Sequence, residues 1–343
     1  MQKYLKELVE ISGISGKEEK VMQFIKKNIQ DKVDSISVDN VGNLIAFKKG
    51  NDSSKKIMFA AHMDEVGLMI TKIYDDGTLG VAQVGGVDSR VLKAQRLKIN
   101  DEIVAIINST PIHLDHNLTA VAGYDSIKLY AGFKNKDEAK LKVKIGDMVT
   151  FDVKYYENNE YAVCKAFDDR CGCSAMMDLI DFFDSESKKP FYDTYFAFVV
   201  QEETGLRGSS VAGFSIQPDA AVILEGTTAG DNPELEKTSW ATHLGDGAVL
   251  TFMHSGVVLD KRIFEYLVET SKKNNIKHQF KMRTAGGTDA ARLTKTVDGI
   301  PCAVISTPCR YIHSANSIIN KNDYNSVVEL IKIISVEGRI LKQ

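Results

Sequence analysis

Residues 56–62 read KIMFAAH, an apolar run that ends on a histidine and is followed by Met63 and Asp64. A short run without polar alternation is typical of a strand buried on both faces. Similar runs recur at 195–200 (YFAFVV), 220–224 (AAVIL) and 302–306 (CAVIS), and NLIAF at 43–47 adds a further strand. Helical patterns lie among them at about 171–184, 260–274 and 322–337, and two amphipathic helices, about 2–12 and 17–30, open the chain. In the first of these, Tyr4, Leu5, Leu8 and Val9 repeat at helical spacing. Strands alternating with helices predict an α/β fold with a central, mostly parallel sheet flanked by helices.

The stretch 67–161 breaks this rhythm. Its short strands are separated by turn signals at 75–78 (DDGT), 84–88 (VGGVD), 145–147 (IGD) and 157–160 (ENNE), and it contains no convincing long helix. A chain of 343 residues exceeds what a single core commonly organises. The expected organisation is therefore an α/β domain formed by residues 1–66 and 162–343, with a small β-rich domain, 67–161, inserted into it.

Composition is ordinary for a globular chain, with 43% hydrophobic and 26% charged residues. A net charge of -3 and a pI near 6.2 give no reason to expect a nucleic-acid partner. No apolar run reaches transmembrane length and the N-terminus lacks the apolar core of a signal peptide, so no membrane partner and a cytoplasmic location are expected. Five cysteines, Cys164, Cys171, Cys173, Cys302 and Cys309, are an odd and scattered set. They read as reduced, buried thiols, because the Cys171/Cys173 pair has no matching second pair to complete a metal clasp.

The residues that carry chemistry sit just past the apolar strands, where open α/β sheets bind ligands. His62 and Asp64 follow KIMFAA and, two apart in an extended segment, can face one site. There the carboxylate can orient a metal-bound imidazole. Alone, this pair is more simply a satisfied histidine beside a surface aspartate. Glu202 and Glu203 follow YFAFVV. Adjacent carboxylates at a strand end need a compensating cation once buried, with one as ligand and the other as general base for an activated water. An exposed acidic turn is the plainer alternative. Asp168-Asp169-Arg170 reads by itself as a polar turn with an internal ion pair, Glu225 as a strand-end carboxylate, and His313 as a loop histidine. Together they provide two imidazoles and three ligand carboxylates, a suitable set for two divalent ions. Spacing alone takes the reading as far as a metallohydrolase.

The motifs AAHMDEVGLMI, VGGVDSRVL, AFDDRCG, QEETGLRGS, LEGTTAGDNP, GGTDAARL and RYIHSAN occur in one consistent order over nearly the whole chain. In this the sequence resembles the M42 metallopeptidases, the tetrahedral aminopeptidases that include glutamyl aminopeptidases. The resemblance implies a zinc-peptidase-like catalytic domain with a PDZ-like insertion used for dimerisation. It implies two divalent metal ions per subunit, zinc or cobalt foremost, with manganese permitted by the ligand types. Asp168 would bridge both ions, His62 and Glu225 would complete one site, and Glu203 and His313 the other. Glu202 would be the general base and Asp64 would orient His62. Peptide substrates, and a homo-oligomer (a dodecamer built from dimers), follow from the same resemblance.

Some positions depart from the family pattern. Glu225 stands where many relatives have aspartate, HSAN at 313–316 replaces HSP, LGDGA at 244–248 replaces LGKGP, and His254 takes the place of an aspartate. None removes a ligand or the base. Gly286 and Gly287 suit a tight loop approaching the site, and Asp289 is either near the substrate or a loop cap. Rival readings are another dinuclear amide hydrolase, a glycan hydrolase, and a non-catalytic scaffold. Retention of all six candidate residues weighs against the scaffold.

Overall fold

The computed structural model describes residues 2–109, 121 and 123–341. Helices α1 (Leu5–Glu10) and α2 (Glu19–Ile29) lead into strands β1 (Ser35–Val38), β2 (Leu44–Lys48) and β3 (Asp52–His62). Six strands follow: β4 (Gly67–Ile73), β5 (Leu79–Val84), β6 (Arg96–Ile99), β7 (Ile103–Ile107), β8 (Lys128–Tyr130) and β9 (Met148–Phe151). They close into a barrel in the order β4-β5-β8-β7-β6-β9. Among the described residues of this stretch the one α-helix is the short α3 (Lys136–Lys140).

The chain then returns to the main sheet through β10 (Tyr156–Glu157) and β11 (Tyr161–Cys164), followed by α4 (Phe167–Ser185), β12 (Tyr192–Val199), α5 (Arg207–Ile216) and β13 (Ala220–Thr228). Strand β14 (Ala248–Thr251), the small hairpin β15 (Met253–His254) and β16 (Val257–Val258), α6 (Lys261–Lys273) and β17 (His278–Phe280) come next. The last elements are α7 (Ala290–Leu293), β18 (Cys302–Arg310), β19 (Ser317–Asn320) and α8 (Lys321–Glu337). No helix among the described residues is long and apolar enough to cross a membrane.

The main sheet runs β1-β2-β12-β3-β13-β18-β19-β11-β10, with β14 and β17 attached beside β18. Its centre, β12-β3-β13-β18, is parallel. The expectation of a mostly parallel sheet needs correction, because the flanks are antiparallel at β1/β2, β2/β12, β18/β19, β19/β11 and β11/β10. Strands joined by short turns pair antiparallel, while parallel pairs need a crossover. Outside the centre, β14 and β17 also pair in parallel, with α6 in the connection between them. The insertion is a closed six-stranded barrel, whose last strand ends at Phe151. Strand β10 already pairs in the main sheet, ahead of the expected domain boundary at 161.

KIMFAAH is buried on both faces, as its composition predicts. Ile57, Phe59 and Ala61 point into a core shared with α1, α2, α4, α6 and α8. Met58 and Ala60 point the other way, against α5 and α7. This alternation places the carboxyl ends of the central strands between two helical layers. The barrel has its own core, built on Leu68, Ile70, Leu97, Ile99, Leu129 and Val149, and Ala315 from the loop after β18 also belongs to it.

Candidate metal centre

His62 ends β3 with 1% of its side chain exposed. Its Nδ1 lies 3.1 Å from the Asp64 main-chain oxygen and 3.3 Å from Asp64 Oδ1. With the Nδ1 proton directed there, Nε2 presents its lone pair to the site. His313 has the same arrangement from another part of the fold. Its Nδ1 lies 3.1 Å from the Gly86 carbonyl oxygen, and its Nε2 points inward. His313 adopts φ 61, a left-handed conformation that is uncommon for residues with a side chain, though histidine is among those that take it more readily.

Asp168 stands between the two imidazoles. Its Oδ1 is 3.2 Å from His62 Nε2 and its Oδ2 is 3.3 Å from His313 Nε2. Glu225 Oε2 lies 3.7 Å from His62 Nε2, and Glu203 Oε1 lies 3.2 Å from His313 Nε2. Glu202 Oε2 is 3.9 Å from His62 Nε2. The structure thus brings together all seven residues singled out in the sequence. Glu225 Oε1 is buried without a hydrogen-bond partner.

The electrostatics call for cations. Burial pushes the pKa values of Glu202, Glu203 and Glu225 upward. Burial also works against a charged His62, yet Asp168 and Asp64 raise it well above the ordinary range. His313 is driven up to about 11 by Asp168 and Glu203, again against the effect of burial. Two imidazole lone pairs facing carboxylate oxygens repel unless a proton or a metal ion lies between them. Imidazole nitrogens and carboxylate oxygens in this number fit borderline divalent ions. Donor atoms of His62, Asp168 and Glu203, and of His62, Asp169 and Glu225, converge within 4.8 Å.

Local sequence explains how these groups come so close. Asp168 and Asp169 have non-helical backbone angles before the regular part of α4 begins, in keeping with a polar turn followed by a helix near Gly172. The internal ion pair read into that turn is not formed. Arg170 is fully buried and donates instead to the carbonyl oxygens of Leu8 at 2.6 Å, Met63 at 2.7 Å and Ile11 at 2.9 Å. It ties the N-terminal segment to the turn that carries Asp168. Gly226 makes room for Asp168, since a Cβ there would lie 2.8 Å from Asp168 Cα. Gly86 does the same for His313, whose Nδ1 would be 3.1 Å from such a Cβ.

Several participants were not legible in the sequence. Asp169 accepts the His62 N–H at 3.2 Å and the Gly172 N–H at 3.0 Å, which makes it a buried partner of the centre. Asp64 does more than orient His62, since Oδ1 accepts the Glu202 N–H and Oδ2 the Glu203 N–H. Asp289 stands at the N-cap position of α7, but its side chain makes no capping bond to that helix. It is buried and accepts the Ser209 hydroxyl at 2.6 Å. His254 bonds Thr288 Oγ1 at 3.0 Å. The five cysteines are buried and free. A cavity of about 620 Å³ opens onto Asp168, Glu202, Glu203, Glu225 and His313, and Lys281 and Arg283 also line it.

Comparison with known proteins agrees with this geometry. The family model described as M42 glutamyl aminopeptidase matches residues 42–330. A lysyl aminopeptidase of Pyrococcus furiosus is 30% identical, over 97% of this chain and 96% of its own length. A Thermotoga maritima structure described as an endoglucanase is 45% identical with a TM-score of 0.83, covering 98% of each chain. The Pyrococcus horikoshii TET1 peptidase is described as assembling into a tetrahedron or a large octahedral shell. It is 30% identical with a TM-score of 0.87, covering 98% of this chain and 99% of its own. The chain belongs to the M42 family of aminopeptidases, which are hydrolases that use divalent metal ions.

Proposed function

We propose that the chain is a dinuclear metallo-aminopeptidase that removes N-terminal residues from peptides, with Glu202 as general base. The observation that carries this reading is Asp168, which offers one carboxylate oxygen to each of two oriented imidazoles. In this reading Asp168 would serve both ions, with His62 and Glu225 contributing to one site and Glu203 and His313 to the other. Bound there, two divalent cations supply Lewis acidity that polarises a carbonyl and makes water a better acid.

The chain's own residues do the rest. Glu202 is held at the mouth of the centre by its backbone bond to Asp64. Its carboxylate takes a proton from the attacking water and delivers it to the departing amine, so the C–N bond breaks as the new C–O bond forms. Asp64 fixes the His62 tautomer. The cavity walls around Gly286 and Gly287 leave space for a peptide end.

We further propose that the β-rich insertion, taken as 67–161, serves dimerisation within a larger homo-oligomer, as a PDZ-like insertion does elsewhere in the family. Supporting this, Val104 and Ile106 alternate on the outer face of β7, and Tyr130 pairs across from Ile106. All three are exposed, an apolar patch suited to a second copy. The relatives named above carry different descriptions, so the side chain preferred here is decided by this chain's own pocket. The deciding experiment is hydrolysis of aminoacyl p-nitroanilides by chelator-stripped protein, with zinc, cobalt or manganese restored. Metal-dependent release confined to substrates with a free amino group is the expected result. Activity on a β-glucan that survives chelation would instead support a glycosidase.

A further inference from the structure

Beside the catalytic cavity lies a second one, of about 370 Å³, and Gly205 and Leu206 form a wall common to both. The other side chains around it are Arg207, Ser210, Arg292, Lys295 and Thr296, which include three cations and no carboxylate. Arg207 opens α5, a helix without a side-chain cap, whose positive dipole end adds to the charge there. Among the described residues none of the three cations has a carboxylate partner. Asp298, three residues after Lys295, does not line the cavity, and Asp289, three before Arg292, is turned to the Ser209 hydroxyl. One exposed cation is ordinary surface. Three around one cavity, with nothing to neutralise them, make a field that draws anions.

Arg292 fixes where that field lies relative to the metal centre. Its Nη2 donates to the Gly205 carbonyl oxygen at 3.4 Å, on the shared wall. Glu203 precedes Gly205 by two residues, a backbone span of at most about 7 Å. The guanidinium is therefore held roughly two or three residue lengths of extended peptide from the centre. Gly205 has φ 119, and a Cβ built on it would meet nothing within 4 Å beyond its chain neighbours. Open space thus lies over the wall where a peptide would cross it.

The charge on the two sides differs. In the catalytic cavity the four lining carboxylates, with buried Asp64, Asp169 and Asp289 behind them, are largely offset by two divalent cations, Lys281 and Arg283. Across the wall, the three cations stand uncompensated. A peptide with its first carbonyl at the metals holds its amino group there and carries its C-terminal carboxylate farther along the chain. In a peptide of three or four residues that carboxylate reaches the cationic side, where guanidinium and ammonium groups can bind it by charge-assisted hydrogen bonds.

We infer that Arg207, Arg292 and Lys295 bind the C-terminal carboxylate of short peptide substrates, forming a subsite on the leaving side of the scissile bond that favours tri- and tetrapeptides. This inference rests on the aminopeptidase reading and adds a substrate length and end group to it, whatever side chain is released.

The test uses metal-restored full-length protein and the N-terminal residue X that the p-nitroanilide panel favours. It compares kcat/KM for X-Ala-Ala and X-Ala-Ala-Ala with kcat/KM for the same peptides ending in an amide. The wild type should favour the free acids by roughly three- to tenfold at low salt, since three exposed cations act together on one carboxylate. Lys295→Glu should abolish or reverse that preference. Arg292→Gln should lower it too. Because the Arg292 bond to Gly205 also supports the wall, each variant is read against its own amide peptide, on which general damage to the centre falls equally. Lys295 makes no side-chain contact with that wall among the described residues, so Lys295→Glu keeps the test available if Arg292→Gln does not fold. Equal rates for acid and amide in the wild type, or a ratio unmoved by both substitutions, would overturn the subsite and leave the aminopeptidase reading standing on p-nitroanilide release. No release from any p-nitroanilide or peptide, with two metals bound, would remove that reading and the inference with it.

Discussion

Asp64 and Glu202 are joined through the main chain: Asp64 Oδ1 accepts the Glu202 N–H at 3.0 Å. The other oxygen of the same carboxylate takes the Glu203 N–H at 3.1 Å and the Ser15 hydroxyl at 2.6 Å. The residue beside the His62 imidazole therefore also sets the turn that carries the proposed base and a proposed ligand. Coupling two functional groups through one buried carboxylate makes the centre sensitive to that residue. Asp64→Asn should lower metal affinity or kcat/KM by roughly 10–100-fold, read by titrating the stripped protein with zinc while following activity. Unchanged affinity and turnover would show that the carboxylate is dispensable.

Glu202→Gln retains the shape of the side chain and its backbone bond to Asp64 but removes the proton acceptor. We expect kcat to fall by about 10²–10⁴-fold, with two metals still bound by elemental analysis. Normal turnover in the metal-loaded variant would eliminate Glu202 as the base.

Stripping the metals should abolish hydrolysis and lower thermal stability as well. Without cations, Asp168, Glu202, Glu203 and Glu225 crowd together in a buried site. Ligand binding to the folded state alone adds about 2.7 kcal/mol at a hundredfold excess over Kd. Differential scanning calorimetry with and without zinc measures this, and identical unfolding temperatures would argue against a buried metal centre.

Gly226→Ala should damage the centre without touching a proposed ligand. The new Cβ would fall 2.8 Å from the Asp168 backbone, which cannot move without carrying along the carboxylate that faces His62 and His313. Overpacking of this kind typically costs about 1–3 kcal/mol. The metal-binding isotherm should weaken too; loss of stability with unaltered metal affinity would place Asp168 elsewhere.

Asp231 and Arg310 predict an acid dependence. Arg310 Nη2 donates to Asp231 Oδ2 at 2.8 Å and its Nε to Oδ1 at 2.5 Å, tying the loop after β13 to the end of β18. Burial would raise the Asp231 pKa, but Arg310 and the Leu244 N–H bring it below the ordinary value. A carboxyl lowered in the folded state binds fewer protons there than in the unfolded chain. Its stabilisation is thus complete above the unfolded value of about 3.9 and is lost as pH falls through the lower folded value. Asp231→Asn should cost about 1–3 kcal/mol at neutral pH and flatten the acid limb of stability below about pH 4. Urea unfolding from pH 3 to 7 tests both, and parallel wild-type and variant curves would count against the pair.

The parts of this protein that were legible in the sequence share a physical origin. KIMFAAH, YFAFVV, AAVIL and CAVIS are unbroken apolar runs because their strands are covered by helices on both faces. Polar groups directly after such runs sit at the sheet's carboxyl edge, whatever the rest of the chain does. His62, Glu202, Glu203 and Glu225 therefore stand out from their position along the chain alone. Asp169 does not, because its role depends on accepting the His62 main-chain N–H from a distant strand. Lys281 and Arg283 were also silent, since a Lys-Met-Arg segment in isolation reads as a solvated surface.

By itself, then, the sequence determined the helix-flanked α/β core, the strands, the β-rich character of the insertion, and the set of imidazoles and carboxylates at the strand ends. Local patterning suffices for these, because burial on two faces and turn chemistry leave marks within a few residues. Tertiary structure decided the antiparallel flanks, the closing of six strands into a barrel, and the anchoring of His313 by Gly86 from that barrel. It also placed one oxygen of Asp168 before each imidazole and turned Lys281 into the cavity. Each of these joins segments far apart in the chain, and only close packing in three dimensions sets the distances on which their chemistry depends.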